Sequence, residues 1–487
     1  MFEIAETGQS IDKAEFRALE PEMHHRLLQL QQQLRQSDKS LIIIVSGVEG
    51  AGKGEVVDRL NRWFDTRDVQ TNAFFDTSDE EKERPRHWRF WRALPARGTV
   101  GVMFGSWYTA PIVDRVYENI SDDTFDDEMS QITALERMLT LDGHAIVKLW
   151  FHLPHKEQKR RVKQDIDVAK LKKGPLLKKY SKSYKAFAAV SEQAISATDT
   201  EVAPWHIIES TDRRYRDITT GEIIAARLES LLGEVTPRVS PVPMAAVLPD
   251  APALADIDLS LSMDDSTFDD KLAEVQNRLH ELAWQMHDKK RNALLVFEGW
   301  DAAGKGSAIR RLTAAFDARL YRVIPIAAPS DEEKAHHYLW RFWRHVPRSG
   351  YLTIFDRSWY GRVLVERVEG FASEDEWQRS FAEIRSFEKQ LASHGAAVLK
   401  FWLHISPEEQ LARFEARQED PRKKHKITEE DWRNREKWND YVLAVDDMMA
   451  RTSTPACPWT VISGNDKKVA RIQVLETVRN RLEKLVG

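Results

Sequence analysis

Residues 47–54 read GVEGAGKG, and residues 299–306 read GWDAAGKG. Each stretch follows an apolar run, at 41–45 and at 293–297, and precedes a segment of helical character. A strand, a G-x-x-x-x-G-K loop and a helix together form a phosphate-binding loop. The glycines let backbone N–H groups turn toward phosphate oxygens, and the positive end of the helix points at the same place. The chain is therefore expected to bind phosphate at a P-loop.

The unit that contains this loop occurs twice. Four motifs recur at a constant separation of 252 residues: the glycine loop, WRFWR (88–92 and 340–344), SWY (106–108 and 358–360) and an apolar stretch (148–152 and 400–404). A constant separation over several motifs indicates a tandem duplication.

Both halves repeat the same order of predicted elements. An amphipathic helix (13–36; 268–287) precedes the first strand, and a second helix (56–64; 308–316) follows the loop, with later strands at 352–355, 398–403 and 459–462. Alternating strands and helices predict a parallel sheet flanked by helices. The predicted fold class is α/β: tandem duplicated P-loop kinase-like domains with a helical lid in each. The predicted domains are 1–233 and 260–487, joined by a Pro/Ala-rich linker at 234–259.

Composition narrows the class of protein. No apolar run approaches the roughly 18 residues of a membrane span, and we expect neither a transmembrane helix nor a secretory signal. The single cysteine, Cys457, excludes an intramolecular disulfide and is typical of a structural thiol in a cytoplasmic protein. The net charge of −5 means that local basic clusters must hold any polyanion, and we expect no nucleic-acid or membrane partner.

The second half carries carboxylates suited to Mg²⁺. The Ser or Thr that usually follows the loop lysine and ligates Mg²⁺ is Gly306 here, so Asp301 inside the loop is the predicted substitute. The strand at 352–355 ends in Asp356 and Arg357, as in a Walker B arrangement. Arg357 and Arg362 are predicted to stabilise charge on a transferred phosphoryl group. A structural ion pair is the alternative interpretation of Asp356 and Arg357.

The first half lacks these groups. The 252-residue separation places Phe104 at the position of Asp356, Gly105 at that of Arg357 and Ala110 at that of Arg362, while Glu49 replaces Asp301. Because a phenylalanine cannot bind Mg²⁺, we expect this half to keep a phosphate-binding loop without catalysis.

A basic arm follows the strand at 398–403. Arg413 and Arg417 are four residues apart and share a helix face, and Lys423 and Lys426 come next. A solvated surface is the plain alternative for such a charge run. In P-loop kinases an arginine-bearing lid closes over the phosphates, and a dense run also suits a long polyanion.

At these motifs the chain resembles the polyphosphate kinase 2 family, and in particular its two-domain members. The resemblance rests on GWDAAGKG (299–306), LWRFWR (339–344), FDRSWY (355–360) with RVLVERV (362–368), and the arm from Arg413 to Asp431. It covers nearly all of both halves. His425 departs from it, because the family usually has tryptophan there.

The resemblance implies Mg²⁺-dependent transfer of a phosphoryl group from inorganic polyphosphate to AMP, forming ADP in the second half. The implied catalytic residues are Lys305, Asp301, Asp356, Arg357, Arg413 and Arg417, with Asp301 and Asp356 as metal ligands. The implied phosphate-binding residues are Gly299, Ala302, Ala303, Gly304, Lys305, Gly306, Ser307, Arg362, Lys423 and Lys426.

Three other functions stay open at this point. They are an ATP-dependent nucleoside monophosphate kinase, a polyphosphate-driven kinase acting on nucleoside diphosphates, and a non-catalytic phosphate-binding scaffold. The choice between adenine and guanine nucleotides (AMP/ADP or GMP/GDP), the chain length of polyphosphate, the direction of the reaction and a homo-oligomeric state are also left open.

Overall fold

The computed structural model describes residues 1–169, 183–233, 244–248, 251–422 and 427–487. The chain forms two compact units. Unit 1 comprises Met1–Ser78, Arg89–Arg238 and Ser330–His337, and unit 2 comprises Asp79–Trp88, Val239–Pro329 and Tyr338–Gly487. Asp79–Trp88 therefore groups with unit 2, although the sequence on both sides of it belongs to unit 1. Ser330–His337 groups with unit 1, although the sequence on both sides of it belongs to unit 2. The domain boundaries expected from the sequence, with the linker at 234–259, stay a prediction.

The described part of unit 1 contains a five-stranded parallel sheet of order β2-β3-β1-β4-β5. Its strands are β1 (Ser40–Gly47), β2 (Val69–Ala73), β3 (Val100–Phe104), β4 (His144–His152) and β5 (Trp205–Glu209). The helices of the first half are α1 (Lys13–Arg35), α2 (Lys53–Trp63), α3 (Asp79–Lys82, in unit 2), α4 (Trp88–Trp91), α5 (Thr109–Val116), α6 (Asp122–Leu141), α7 (His155–Ala169), α8 (Tyr184–Thr198) and α9 (Arg213–Gly233).

The described part of unit 2 contains a second five-stranded parallel sheet, of order β10-β9-β6-β8-β7. Its strands are β6 (Asn292–Gly299), β7 (Tyr321–Pro325), β8 (Leu352–Asp356), β9 (Ala396–His404) and β10 (Trp459–Ser463). The helices are α10 (Asp265–Asp288), α11 (Lys305–Thr313), α12 (Asp331–Lys334, in unit 1), α13 (Trp340–Trp343), α14 (Val365–Val368), α15 (Glu374–Ser393), α16 (Pro407–Glu419), α17 (Glu429–Glu436), α18 (Trp438–Thr452) and α19 (Lys467–Val486).

The apolar runs form central strands because helices cover both faces of each sheet. In unit 1, Leu41 to Val45 are at most 1% exposed. Every second residue of this run, from Leu41 to Val45, belongs to one core with Leu27 of α1, Leu60 of α2 and Leu228 of α9. The parallel α/β fold and its duplication are thus confirmed. The WRFWR segment at 340–344 belongs to the hydrophobic core, because Trp340, Phe342 and Trp343 are buried.

Two other expectations can be compared with the structure. Cys457 is buried, and burial raises the pKa of its thiol to about 12, which suits a structural role. No helix in the described part of the chain is long and apolar enough to cross a membrane.

Strand order determines where a site can form. In unit 2, β6 lies between β8 and β9, so the loop that leaves β6 and the residues that leave β8 meet at the carboxyl edge of the sheet. The register pairs Phe297 of β6 with Asp356 of β8. Asp356 therefore lies beside the base of the glycine loop.

Candidate active site

The glycine loop of unit 2 turns sharply between β6 and α11. Gly299 has φ 147°, and a Cβ there would lie 2.6 Å from the carbonyl oxygen of Leu403, so only glycine fits. Gly304, with φ 108°, is the N-cap of α11, and Ala302 also has positive φ, at 62°. The loop therefore presents the amino end of a nine-residue helix to the cavity, where an anion is favoured.

Lys305 is the first residue of α11, and its ammonium group folds back over the loop. Its Nζ donates to the carbonyl oxygens of Gly299 at 2.6 Å and Trp300 at 3.3 Å. Burial lowers the pKa of Lys305, while the carboxylates of Asp301 and Asp356 oppose that shift. An incoming phosphate group can replace the two carbonyl oxygens as the partner of this ammonium group.

Asp356 and Arg357 leave β8 next to this lysine. The carboxylate of Asp356 lines the cavity and has no hydrogen bond or salt bridge within the described residues. Arg357 adopts φ 64°, which is strained for a residue with a side chain. Its Nη2 lies 3.4 Å from Oδ1 of Asp301. The structure thus brings together Asp301, Lys305, Asp356 and Arg357.

The two carboxylates fit a Mg²⁺ ion that is shared with substrate phosphates. Among the described residues no group of three or more His, Cys, Asp or Glu could hold a metal. Mg²⁺ commonly takes one or two carboxylates, and phosphate oxygens and water complete its ligands. The unpartnered Asp356 and the nearby Asp301 have the chemistry for this mode of binding.

Arg413 differs from the lid arginine expected from the sequence. It is only 6% exposed, and its Nε is bound to Glu409. Its Nη1 donates to the carbonyl oxygens of Ala302 and Ala303, and its Nη2 to those of Gly464 and Asn465. Because all five N–H groups have partners, Arg413 braces the back of the glycine loop, and it also lines the cavity in front of that loop.

Arg362 also lies elsewhere than expected. Its guanidinium pairs with Glu366 at 3.2 Å and Glu376 at 3.6 Å and lies over the ring of Tyr338. It does not line the cavity at the loop, so a direct phosphate contact is not supported. The predicted residues Lys423 and Lys426, and His425, lie outside the described residues.

Cations extend from the loop into an open cavity of about 840 Å³. Arg417 and Lys467 line it without a hydrogen bond or salt bridge among the described residues, and the exposed Arg310 does the same. Arg471 lines it too, and donates to the hydroxyl of Ser307 at 2.9 Å. The cavity therefore presents more positive charge than the loop alone, and the catalytic role expected for Arg417 stays a prediction.

Three groups at the site escaped prediction from the sequence. Glu298 is buried, accepts a hydrogen bond from Ser358 at 2.8 Å, and has its pKa raised by burial. Asn434 donates to Oδ2 of Asp301 at 2.9 Å, and Trp438 stacks on Trp300 at 3.7 Å. A carboxylate ending an apolar strand was a readable signal for Glu298. Nothing local marked the other two.

The same place in unit 1 lacks the acidic strand end. Phe104 ends β3 and pairs in register with Val45, and Gly105 follows with φ 77°. The backbone turn that is strained at Arg357 is thus made by glycine here. Glu49 forms an ion pair with Lys53 at 3.5 Å. The residue differences predicted from the repeat therefore occupy equivalent positions in the fold.

Comparisons with known proteins cover the whole chain. The chain is 44% identical over 490 residues to a polyphosphate:AMP phosphotransferase of Pseudomonas syringae pv. tomato, covering 99% of this chain and 98% of that protein. It is 39% identical over 212 residues to NDP-polyphosphate phosphotransferase 1 of Ruegeria pomeroyi, covering 43% of this chain and 69% of that protein.

A solved structure and a family profile also match most of the chain. A crystal structure of a polyphosphate kinase 2 from Pseudomonas aeruginosa superposes with a TM-score of 0.91 at 43% identity and covers 100% of this chain and 99% of that one. The profile of polyphosphate kinase 2 (PPK2) matches residues 10–233 and 262–485. With both halves matched, the chain belongs to the polyphosphate kinase 2 family.

Proposed function

We propose that this chain transfers the terminal phosphoryl group of inorganic polyphosphate to AMP, forming ADP, at the site in unit 2. The observation that carries the proposal is the cavity itself: a glycine loop and two carboxylates beside Arg310, Arg417 and Lys467, whose side chains have no hydrogen bond or salt bridge among the described residues. Such an excess of positive charge suits a donor that is a long polyanion. The full-length relative named a polyphosphate:AMP phosphotransferase supports the same donor and acceptor.

The transfer needs no covalent intermediate on the protein. A phosphate oxygen of AMP attacks the terminal phosphorus of the chain, a new P–O bond forms, and the bond to the next phosphate breaks. The products are ADP and polyphosphate shortened by one unit. Such transfer depends mainly on positioning and charge stabilisation.

Each charged group at the site has a distinct task in this scheme. The loop amides and Lys305 hold the transferred group, and Arg357 supplies a second positive charge next to it. Arg417, Lys467 and Arg310 hold the rest of the chain. Asp301 and Asp356 would hold Mg²⁺, which when bound neutralises charge on the phosphates.

A smaller cavity of about 80 Å³ beside the loop offers apolar surface against which part of the nucleoside of AMP can pack. Leu364, Val365, Trp402 and Tyr441 line it together with Glu298 and Lys305. A nucleoside here would have its phosphate near Lys305, where the acceptor oxygen is needed.

A nucleoside diphosphate is the competing acceptor, because the Ruegeria relative is named for that reaction. ATP is the competing donor, as in an ATP-dependent nucleoside monophosphate kinase.

The test is a panel with purified protein: long polyphosphate, pyrophosphate or ATP as donor, each with AMP or ADP as acceptor. We expect polyphosphate with AMP to give the highest kcat/KM. A higher kcat/KM with ATP, or with ADP as acceptor, would overturn the proposal. The cytoplasmic location and a homo-oligomeric state stay predictions.

A further inference from the structure

The two glycine loops share their backbone and their lysine. Gly52 is the N-cap of α2 with φ 84°, as Gly304 is for α11. Lys53 donates to the carbonyl oxygens of Gly47 at 2.9 Å and Val48 at 3.0 Å, just as Lys305 does in unit 2. From these features alone both loops are able to bind phosphate, as we expect from the sequence.

The loops differ in what lies in front of the helix. Glu55 stands in the first turn of α2, at the position that Ser307 holds in α11. Its Oε2 would lie 3.1 Å from a Cβ built on Gly52, so the carboxylate folds back over the amino end of the helix. This is the place where a helix attracts an anion.

A buried arginine holds that carboxylate in place. Arg216 is 1% exposed, and its Nη1 and Nη2 both lie 3.1 Å from Oε2 of Glu55. It also donates to the carbonyl oxygen of Ala51 at 3.2 Å and to Asp217 at 2.7 Å. Its Nη1 would be only 1.9 Å from a Cβ on Gly52, whereas a Cβ on Gly304 meets nothing within 4 Å.

Unit 2 has the opposite arrangement at the same place. Trp205 and Trp459 begin the last strands, so Arg216 and Asp217 correspond to Ala470 and Arg471. Alanine leaves the space before α11 open, and Arg471 adds a positive charge where Asp217 adds a negative one. In unit 2 the helix end faces an open cavity lined by cations.

Three described cations near the first loop are already paired. Lys53 pairs with Glu49, Arg213 with Glu55, and Arg161 with Glu157. A phosphate chain would have to displace Glu55 and separate the buried guanidinium of Arg216 from one of its two carboxylate partners, Glu55 and Asp217. In unit 2, Arg417 and Lys467 have no carboxylate partner among the described residues that a phosphate chain would have to displace.

We propose that Glu55 is a built-in anion that occupies the phosphate position of the first loop, locked there by Arg216. Each chain then binds a phosphate chain at the loop of residues 299–306 and not at that of residues 47–54. This replaces the expectation that the first half keeps a working phosphate loop, and its choice of ligand rests on the proposed function.

Hydrogen exchange measured by mass spectrometry tests this in the full chain, because peptides report the two loops separately. The probe is inorganic tripolyphosphate without nucleotide. We expect slower exchange across residues 299–307 and no change across residues 47–55. Slower exchange at both loops would overturn this inference alone. No change at either loop would overturn the proposed donor.

Two reciprocal variants, one in each unit, keep the test valid even if one of them fails to fold. Glu55→Ser with Arg216→Ala should open the first loop, so tripolyphosphate should then slow exchange across 47–55 as well. Ser307→Glu with Ala470→Arg should install the same lock in unit 2 and remove the protection across 299–307. Retained protection in this second variant, with an unchanged melting temperature, would contradict the inference.

Discussion

The chemistry of this protein depends on single residues that its two units of the same fold do not share. Asp301 is one of them, since Glu49 occupies its place in unit 1. Both its oxygens have partners here, Arg357 at 3.4 Å and Asn434 at 2.9 Å. A side chain held from two directions is already oriented for a ligand role.

The first residue-scale prediction concerns this carboxylate. Asp301→Ala should lower kcat and raise the Mg²⁺ concentration for half-maximal rate, because the usual hydroxyl ligand is replaced by Gly306. Asn434→Leu should raise that Mg²⁺ concentration more mildly, since it removes only an orienting hydrogen bond. A Mg²⁺ titration of rate, with Mn²⁺ binding measured directly by electron paramagnetic resonance, checks both. An unchanged Mn²⁺ affinity in Asp301→Ala would contradict the ligand role.

Arg413 and Arg417 make a second residue-scale prediction. The same helix buries Arg413 and presents Arg417 with no hydrogen bond or salt bridge to the described residues. Arg413→Ala should lower the free energy of unfolding by about 1–3 kcal/mol for each buried carbonyl left without a donor that water cannot reach. It should also lower kcat through the loosened loop. Arg417→Ala should leave the melting temperature unchanged and raise the KM for polyphosphate. Thermal unfolding and steady-state kinetics on both variants separate the two roles. Equal melting temperatures for Arg413→Ala and Arg417→Ala would show that Arg413 does not stabilise the loop.

At the scale of elements, α19 carries positive charge into the cavity through its first turn. Lys467 lines the cavity, while the next residue, Lys468, pairs with Asp265. Lys467→Gln should raise the KM for long polyphosphate more than that for AMP. It should also flatten the dependence of that KM on salt, since exposed charges are screened over roughly 10 Å at 0.1 M. Lys468→Gln is the matched control and should change neither.

A buried network fixes the segment that follows β8. Lys400 lies 2.9 Å from Glu388 and 2.8 Å from the hydroxyl of Tyr360, and Glu388 also accepts from Trp359. Lys148, Glu136 and Tyr108 repeat the pattern in unit 1. The repeat shows that the network belongs to the fold and not to catalysis alone.

This network gives the second prediction at the element scale. Lys400→Met should cost roughly 3–5 kcal/mol of unfolding free energy, because Glu388 is left buried without its cation. Adding Glu388→Gln should recover part of that loss. Denaturant unfolding measures both variants, and Lys148→Met is the unit 1 counterpart. A double variant less stable than Lys400→Met would show that the unpaired carboxylate is not the cause.

At the scale of the whole molecule, the two units divide the work. Asp356→Asn in the full-length chain should remove nearly all polyphosphate-dependent ADP formation, since it neutralises the unpartnered carboxylate of the cavity. Lys53→Ala should leave kcat within a few-fold, because its loop does not carry the reaction. Both rates come from one coupled assay of ADP. If Lys53→Ala is as inactive as Asp356→Asn, the asymmetry between the units is wrong.

The sequence by itself determined the α/β fold, the duplication, the loop lysine and the acidic strand end. These depend on periodicity and on motifs within a few residues of one another, and comparing the two halves showed which positions had diverged. Only the tertiary structure shows the burial of Arg413, the ion pairs of Arg362 and the hydrogen bond from Asn434 to Asp301. The same holds for the contact of Arg216 with Glu55. Asn434 and Asp301 are 133 residues apart, and Arg216 and Glu55 are 161 apart. Which charge faces which is set by how the last helices pack against the loop, and no local pattern records that packing.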